Sequence, residues 1–255
     1  MPRLHPEAAT GFSRDPQRYE RGRPDYPAAL DDWLCADLGL GPGRPVLELG
    51  AGTGKFTQRL LSCGADVTAL EPLTAMHRQL RAALPHVPIL TGRAEAIPLP
   101  DDSQDAVVAA QAFHWFATPQ ALAEIRRVLR PGGRLGLVWN YRDDRVPWVA
   151  TLTEIMKPYA GDCPSFASRR WQEVFPAPGF GPLHEVRVPH RHRGPVAQVI
   201  LDRVLSVSYI ANLPTTERAA VKARLERLIA DTPALAAGGA VVVPYITFAY
   251  SCRRT

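Results

Sequence analysis

The chain has 255 residues, 46% apolar and 22% charged, with a net charge of +5. Such a composition belongs to a globular protein with one sizeable core, and no apolar run reaches the about 18 residues that a membrane span needs. Lysine stands only at Lys55, Lys157 and Lys222, so nearly all the positive charge is arginine, and it is dispersed rather than gathered into a block. Arginine suits carboxylates and phosphates, and its dispersal argues against a nucleic-acid partner. Cys35, Cys63, Cys163 and Cys252 show no CxxC spacing and no His at ligand distance, which excludes a disulfide framework and a zinc site. The polar, proline-punctuated first stretch lacks a hydrophobic signal core, so the expectation is a cytoplasmic protein without a membrane partner.

Residues 27–38 predict a helix with Leu30, Trp33, Leu34 and Leu38 on one face and Gly39 as its stop. A buried strand follows at 45–49, a helix at 54–63 closed by Gly64, and a strand at 66–70. A helix at 73–84 stops at Pro85, and a brief strand spans 88–90. The strand at 105–110 leads to a helix with Thr118 as its cap and Pro119 as its first residue. Pro131-Gly132-Gly133 breaks that helix, and a strand spans 134–139. Strands alternating with helices give right-handed crossovers and a parallel sheet covered on both faces. Beyond Asn140 the pattern predicts short helices at 147–158 and 168–175, then a strand at 183–190. Helices at 196–210 and 215–230 and a last strand at 240–251 complete the chain. The fold class is α/β, a doubly wound, Rossmann-like, mostly parallel sheet with a helical cap inserted between the last two strands. As one domain, 1–255, it divides into a closing segment at 1–40, a core at 41–140 and the cap at 195–239.

The stretch LELGAGTGKF, 47–56, is the informative one. A phosphate loop needs Gly at 49 and a hydroxyl at 56, and those positions hold Leu49 and Phe56. A dinucleotide turn needs Gly at 55, which is Lys55. The spacing present is Glu48, Gly50, Gly52, Gly54. Glycines permit a tight turn and close approach of a ligand, while the acid before them repels a pyrophosphate and favours a cation. S-adenosylmethionine meets that demand with its ammonium and sulfonium groups. Glu71 ends the next strand roughly 20 residues on, where an acid accepts both ribose hydroxyls.

The ordered runs VLELGAGTGKFT, VTALEP, GRAEAIPLPDDSQDAVVAAQAFHW and EIRRVLRPGGRLGLVWN resemble a class I S-adenosylmethionine-dependent methyltransferase of the type 11 group. RYERGRPDYP and VVVPYITFAYSCRR are similar to the trans-aconitate methyltransferase subgroup. The resemblance implies S-adenosylmethionine as cofactor and S-adenosylhomocysteine as product. It also implies that Glu48, Gly50, Ala51 and Gly52 line the methionyl part, that Glu71 holds the ribose and that Pro72 flanks the adenine. The Ala94 backbone N–H meets a ring nitrogen, and Gln111 runs beside the sulfonium. Tyr19 and Arg23 close over the cofactor. Many relatives carry Asp where this chain has Arg93, which cannot accept a hydrogen bond, so Glu95 or a backbone carbonyl must serve the exocyclic amine.

Methyl transfer from a sulfonium is an in-line displacement, helped by alignment and exclusion of water. A carboxylate acceptor needs no base. His114 is the catalytic candidate, either as a base or as a substrate-lining side chain. Trp115 forms a wall, and Arg142, Tyr209 and Asn212 are acceptor-lining candidates. His190 and His192, in HRHR, share a strand face without a third ligand and read as a solvated strand end. The expected function is methyl transfer to an oxygen of a small-molecule acceptor, with an RNA or protein methyltransferase and a non-catalytic cofactor-binding protein as rivals. No metal is expected. The acceptor's identity and the oligomeric state do not follow from these residues.

Overall fold

The short apolar runs become strands because both of their faces are covered. In β1 (Pro45–Leu49) every residue after the first is buried, and in β4 (Gln104–Ala110) only one of seven is not. The other strands are β2 (Asp66–Leu70), β3 (Ile89–Leu90), β5 (Leu129–Arg142), β6 (His184–Pro195) and β7 (Ala240–Arg253). Together they form one sheet in the order β3-β2-β1-β4-β5-β7-β6. Pairing is parallel from β3 through to β5, with Leu47 opposite Thr68 on one side and Val107 on the other. The computed structural model describes residues 22–255.

Helices cover the crossovers as the hydrophobic periods predict. After α1 (Leu30–Ala36) come α2 (Lys55–Ser62), α3 (Thr74–Ala83) and α4 (Pro119–Val128). The Thr118 side chain accepts the Ala121 N–H at 3.1 Å, and Pro119 fills the first turn of α4. The chain winds β1, β2, β3 to one side, then returns to place β4 on the other side of β1. Ligands of open parallel sheets bind at the strand C-termini where the order reverses. Here that place is flanked by the loops after β1 and β4.

Two compact units share the chain. One holds residues 26–140, 164–188 and 247–255, with a core that includes Leu30, Leu34, Val46, Leu60, Val108 and Val138. The other holds, among the described residues, 22–25 together with 141–163 and 189–246. Its core packs Leu152 and Ile155 of α5 (Pro147–Met156) with Ile200, Val204, Val221 and Leu225. No helix among the described residues is long and apolar enough to cross a membrane.

Several elements differ from expectation. β5 starts at Leu129, directly after α4, because a register shift between Gln104 and Ala106 lets the strand absorb Pro131-Gly132-Gly133. Gly132 takes φ 79°, and the pair Gly132 N–H to Arg254 O and Arg254 N–H to Gly133 O holds the bulge. Residues 168–175 form only a 3-10 turn, Arg170–Gln172. The single helix expected at 196–210 is instead a π-helix, Ala197–Asp202, followed by the short helices Arg203–Leu205 and Ser208–Ala211. After these, α6 (Thr215–Asp231) and a turn at Pro233–Ala236 precede β7. The HRHR segment is not a solvated strand end. His192 is buried, and its Nε2 lies 3.2 Å from the Gly22 carbonyl, because β6 continues to Pro195.

Candidate active site

The glycine loop leaves β1 in left-handed backbone: φ is 67° at Gly50, 60° at Gly52 and 92° at Gly54. Side chains resist these angles, so glycine is needed here. At Gly50 there is a second reason, since a Cβ would come within 2.8 Å of the Ala112 Cβ in the loop after β4. At Gly52 a Cβ would meet nothing within 4 Å, so that backbone edge faces open space. The Gly50 N–H donates to Leu70 O at 2.8 Å, tying the loop to the end of β2.

Glu71 completes the tie. Its Oε2 accepts the Gly52 N–H and its Oε1 accepts the Leu73 N–H, both at 2.8 Å. One buried carboxylate thus joins the glycine loop to the start of α3, next to Pro72. Burial raises the Glu71 pKa, and the two N–H bonds oppose it. Glu48, buried in β1, accepts the Thr57 hydroxyl of α2 at 2.6 Å. Burial pushes its carboxyl up to about 8, the Thr57 bond opposes this, and the neighbouring Glu71 charge adds to it. Two acids beside open backbone suit a ligand with a ribose and a positive charge, and S-adenosylmethionine has both.

Ala94 is buried in the loop after β3. Arg93 Nε lies 3.5 Å from Glu95 Oε2, so the residue that departs from the family pattern draws on the carboxylate expected to replace it. This loop is clamped from α4. Glu124 accepts the Ile97 N–H at 2.9 Å, while Arg127 donates to the carbonyls of Ile97 and Leu99, each at 2.8 Å, and pairs with Glu124 and Asp101. The Arg127 bond holds the Glu124 carboxyl below its usual range.

At the end of β4, Gln111 adopts φ 56°, a strained angle for a residue with a side chain. Its N–H donates to Val138 O at 2.8 Å and its Nε2 to Asn140 O at 2.9 Å, and Asn140 Oδ1 accepts the Thr247 hydroxyl at 2.6 Å. The next turn, Phe113–Trp115, presents His114. The buried Trp139 donates its indole N–H to His114 Nδ1 at 3.0 Å. An indole nitrogen only donates, so Nδ1 is an acceptor and the neutral ring carries its proton on Nε2. The Trp115 ring lies beside it, with centroids 5.0 Å apart.

The structure therefore brings Glu48, Gly50, Ala51, Gly52, Glu71, Pro72, Ala94, Glu95, Gln111, His114 and Trp115 into one unit. Arg23, Arg142, Tyr209 and Asn212 belong to the other. Tyr19 lies outside the described residues. Sequence reasoning missed Thr57, Glu124, Arg127 and Trp139. Each is a helix or strand residue whose role comes from a partner across the fold, and only the i, i+3 spacing of Glu124 and Arg127 carried a local signal.

A family model described as a methyltransferase domain matches residues 47–137, the segment that carries most of this site. A methyltransferase-like protein of Schizosaccharomyces pombe is 40% identical over 95% of both chains. A methyltransferase of Mycobacterium tuberculosis is 44% identical over 90% of this chain and 89% of its own. The solved structure of a candidate type II methyltransferase from Anaeromyxobacter dehalogenans is 28% identical, with a TM-score of 0.61 over 91% of this chain and 96% of its own. None of these three is described as a trans-aconitate methyltransferase, and that finer resemblance stays an expectation. With glycine loop, strand order and near full-length relatives in agreement, the chain belongs to the class I S-adenosylmethionine-dependent methyltransferases.

Proposed function

We propose that this enzyme transfers the methyl group of S-adenosylmethionine to an oxygen of a small-molecule acceptor. The observation that carries the cofactor assignment is the Glu71 carboxylate, which holds the Gly52 N–H beside backbone that no side chain covers. When bound, the cofactor supplies an electrophilic methyl on a sulfonium. Glu71 keeps lone pairs for the ribose hydroxyls after taking its two N–H bonds, because a carboxylate has about four acceptor sites. Glu48, Gly50, Ala51 and Gly52 line the methionyl end, Pro72 flanks the adenine, and the Ala94 N–H meets its ring edge. Glu95 is shared between Arg93 and the adenine amine. Gln111, fixed by Asn140, walls the reacting centre and helps to exclude water.

His114 fits a donor better than a base. With Nδ1 accepting from Trp139, the only proton its neutral ring can offer is on Nε2, and that proton can be given to an acceptor oxygen. A donor orients an oxygen that is already ionised and removes no proton from it, which favours a carboxylate over a hydroxyl. Arg142, Tyr209 and Asn212 are the further acceptor-lining candidates, and Tyr19 and Arg23 the closing pair.

Titration calorimetry with S-adenosylmethionine and S-adenosylhomocysteine, with NAD and ATP as controls, tests the cofactor half. Micromolar binding of the two sulfur compounds alone is expected, and failure of both to bind overturns the assignment. A methyl-transfer screen over small carboxylic acids and phenols tests the acceptor half. Base-labile methyl esters are expected, and products methylated only at nitrogen or carbon, or only on RNA or protein, overturn it.

A further inference from the structure

The unit containing residues 141–163 and 189–246 holds polar atoms that the described residues do not satisfy. Arg203 is 8% exposed, and its Nε and Nη1 have no hydrogen-bond partner. Arg142 Nε, His190 Nε2 and the Tyr245 hydroxyl are buried in the same condition. These groups form a connected set. The charges of Arg142, Arg203 and Arg23 act on the Tyr209 hydroxyl, and that of Arg203 on His192. The His192 and His190 rings lie 6.2 and 6.3 Å from that of Tyr245.

No carboxylate among the described residues pairs with Arg142 or Arg203. Asp25 acts on the two histidines, and Asp143 is taken by Arg145 at 2.7 Å. The histidines do not supply an anion either. Burial, and for His192 the adjacent Arg203 charge, lowers their pKa values, to about 4 for His192. A guanidinium keeps its charge in a protein, and a buried one is strongly unfavourable without a partner.

The backbone is shaped around the same residue. Arg203 is delivered by the six-residue π-helix Ala197–Asp202, a rare turn frequent at functional sites. Gly22 presses on this junction so closely that a Cβ there would lie 2.7 Å from the Arg203 nitrogen. Val199, Ile200, Val204 and Ile210 on the elements around it are all buried, together with the polar Ser206 and Ser208.

We infer that this unit carries a buried oxyanion receptor built from Arg142, Arg203 and Tyr209, whose ligand is a small carboxylate. The ligand supplies the negative charge that the described residues do not offer the two arginines, and the Tyr209 hydroxyl can donate to it. The buried aliphatic side chains suit a carboxylate on a carbon skeleton. A phosphate dianion would have to shed more hydration, and such ions favour backbone N–H cradles instead. The inference rests on the acceptor half of the proposed function, where Arg142 and Tyr209 already line the acceptor; its binding test uses no cofactor and no turnover, so failure of the receptor and failure of methyl transfer are read separately.

The test uses the full chain without cofactor, at fixed ionic strength, with succinate, inorganic phosphate and succinamide as probes in calorimetry and thermal melts. Succinate is expected to bind and raise Tm, and succinamide to do neither. Arg203→Met is expected to weaken succinate at least ~10-fold while its own Tm holds or rises, because an unpaired buried charge has been removed. Arg142→Gln is expected to weaken succinate with little change in Tm. Succinate binding that survives both substitutions overturns the receptor, as does a wild-type protein that binds neither anion. Phosphate binding without succinate binding overturns the carboxylate assignment. A fall in Tm for Arg203→Met, with succinate affinity kept, would make Arg203 a structural residue only. A succinate-like compound that passes is the first to offer as methyl acceptor.

Discussion

The glycine-loop region and the Arg203 cluster both bury charge-bearing side chains, and they resolve the cost differently. Glu71 fills both carboxylate oxygens with backbone N–H groups, and Glu48 takes the Thr57 hydroxyl. Burial raises both pKa values, and Glu48, pushed up to about 8, can also soften the cost by holding a proton. Arg142 and Arg203 have neither outlet: Arg142 Nε and Arg203 Nε and Nη1 lack partners among the described residues, and a guanidinium does not give up its proton. An acid can wait for its ligand either bonded to the chain's own N–H groups, as Glu71 is, or protonated, as burial favours for Glu48. An arginine in a buried setting cannot, and its orphaned N–H groups mark a place where something else binds.

The largest expected effect comes from closing the first region. Gly52→Val puts a β-branched side chain at φ 60° into the open space beside the loop. With strain of about 1–3 kcal/mol added to the filled space, S-adenosylhomocysteine affinity should fall on the order of 100-fold by calorimetry. Wild-type affinity in a folded variant would remove the loop from the cofactor site.

A smaller effect tests whether Glu48 is held neutral. Its folded pKa of about 8 lies above the ordinary 4.5, so between those values the folded state binds more protons than the unfolded one. Wild-type stability therefore declines as pH rises through that window, and the contribution of Glu48 is most favourable below it. Glu48→Gln should flatten this decline, gaining on the order of 4 kcal/mol over wild type by pH 8 and nothing near pH 4.5. Parallel denaturation midpoints across that range would mean that Glu48 is ionised when folded.

The smallest effect concerns the clamp on the Ala94 loop. Arg127→Met strips partners from the Ile97 and Leu99 carbonyls and from Glu124, and should cost about 1–2 kcal/mol in urea unfolding. Cofactor affinity should weaken in step, because the loop that offers the Ala94 N–H is loosened. An unchanged midpoint would show that the clamp is only a surface ion pair.

Much of the first region was legible from local pattern. Thr118 and Pro119 fixed the start of α4, and β1 and β2 fell where short apolar runs stood between turn residues. Glu48, Gly50, Gly52 and Glu71 announced themselves because acid and glycine at that spacing impose backbone angles and charge on one turn. The HRHR segment misled, since alternation gives a face but not what covers it, and the π-helix did too, since its apolar period reads as an ordinary helix.

The sequence by itself determined the alternation of strands and helices, the glycine loop and the acids that flank it, because those depend on residues close in the chain. Only the tertiary structure decided that Trp139 fixes the His114 tautomer, that Arg127 clamps the loop after β3, and that Arg203 lies buried without an acid among the described residues. Each depends on which distant atoms meet or fail to meet a polar group, and hydrogen bonding and desolvation act over a few ångströms of space whatever the separation along the chain.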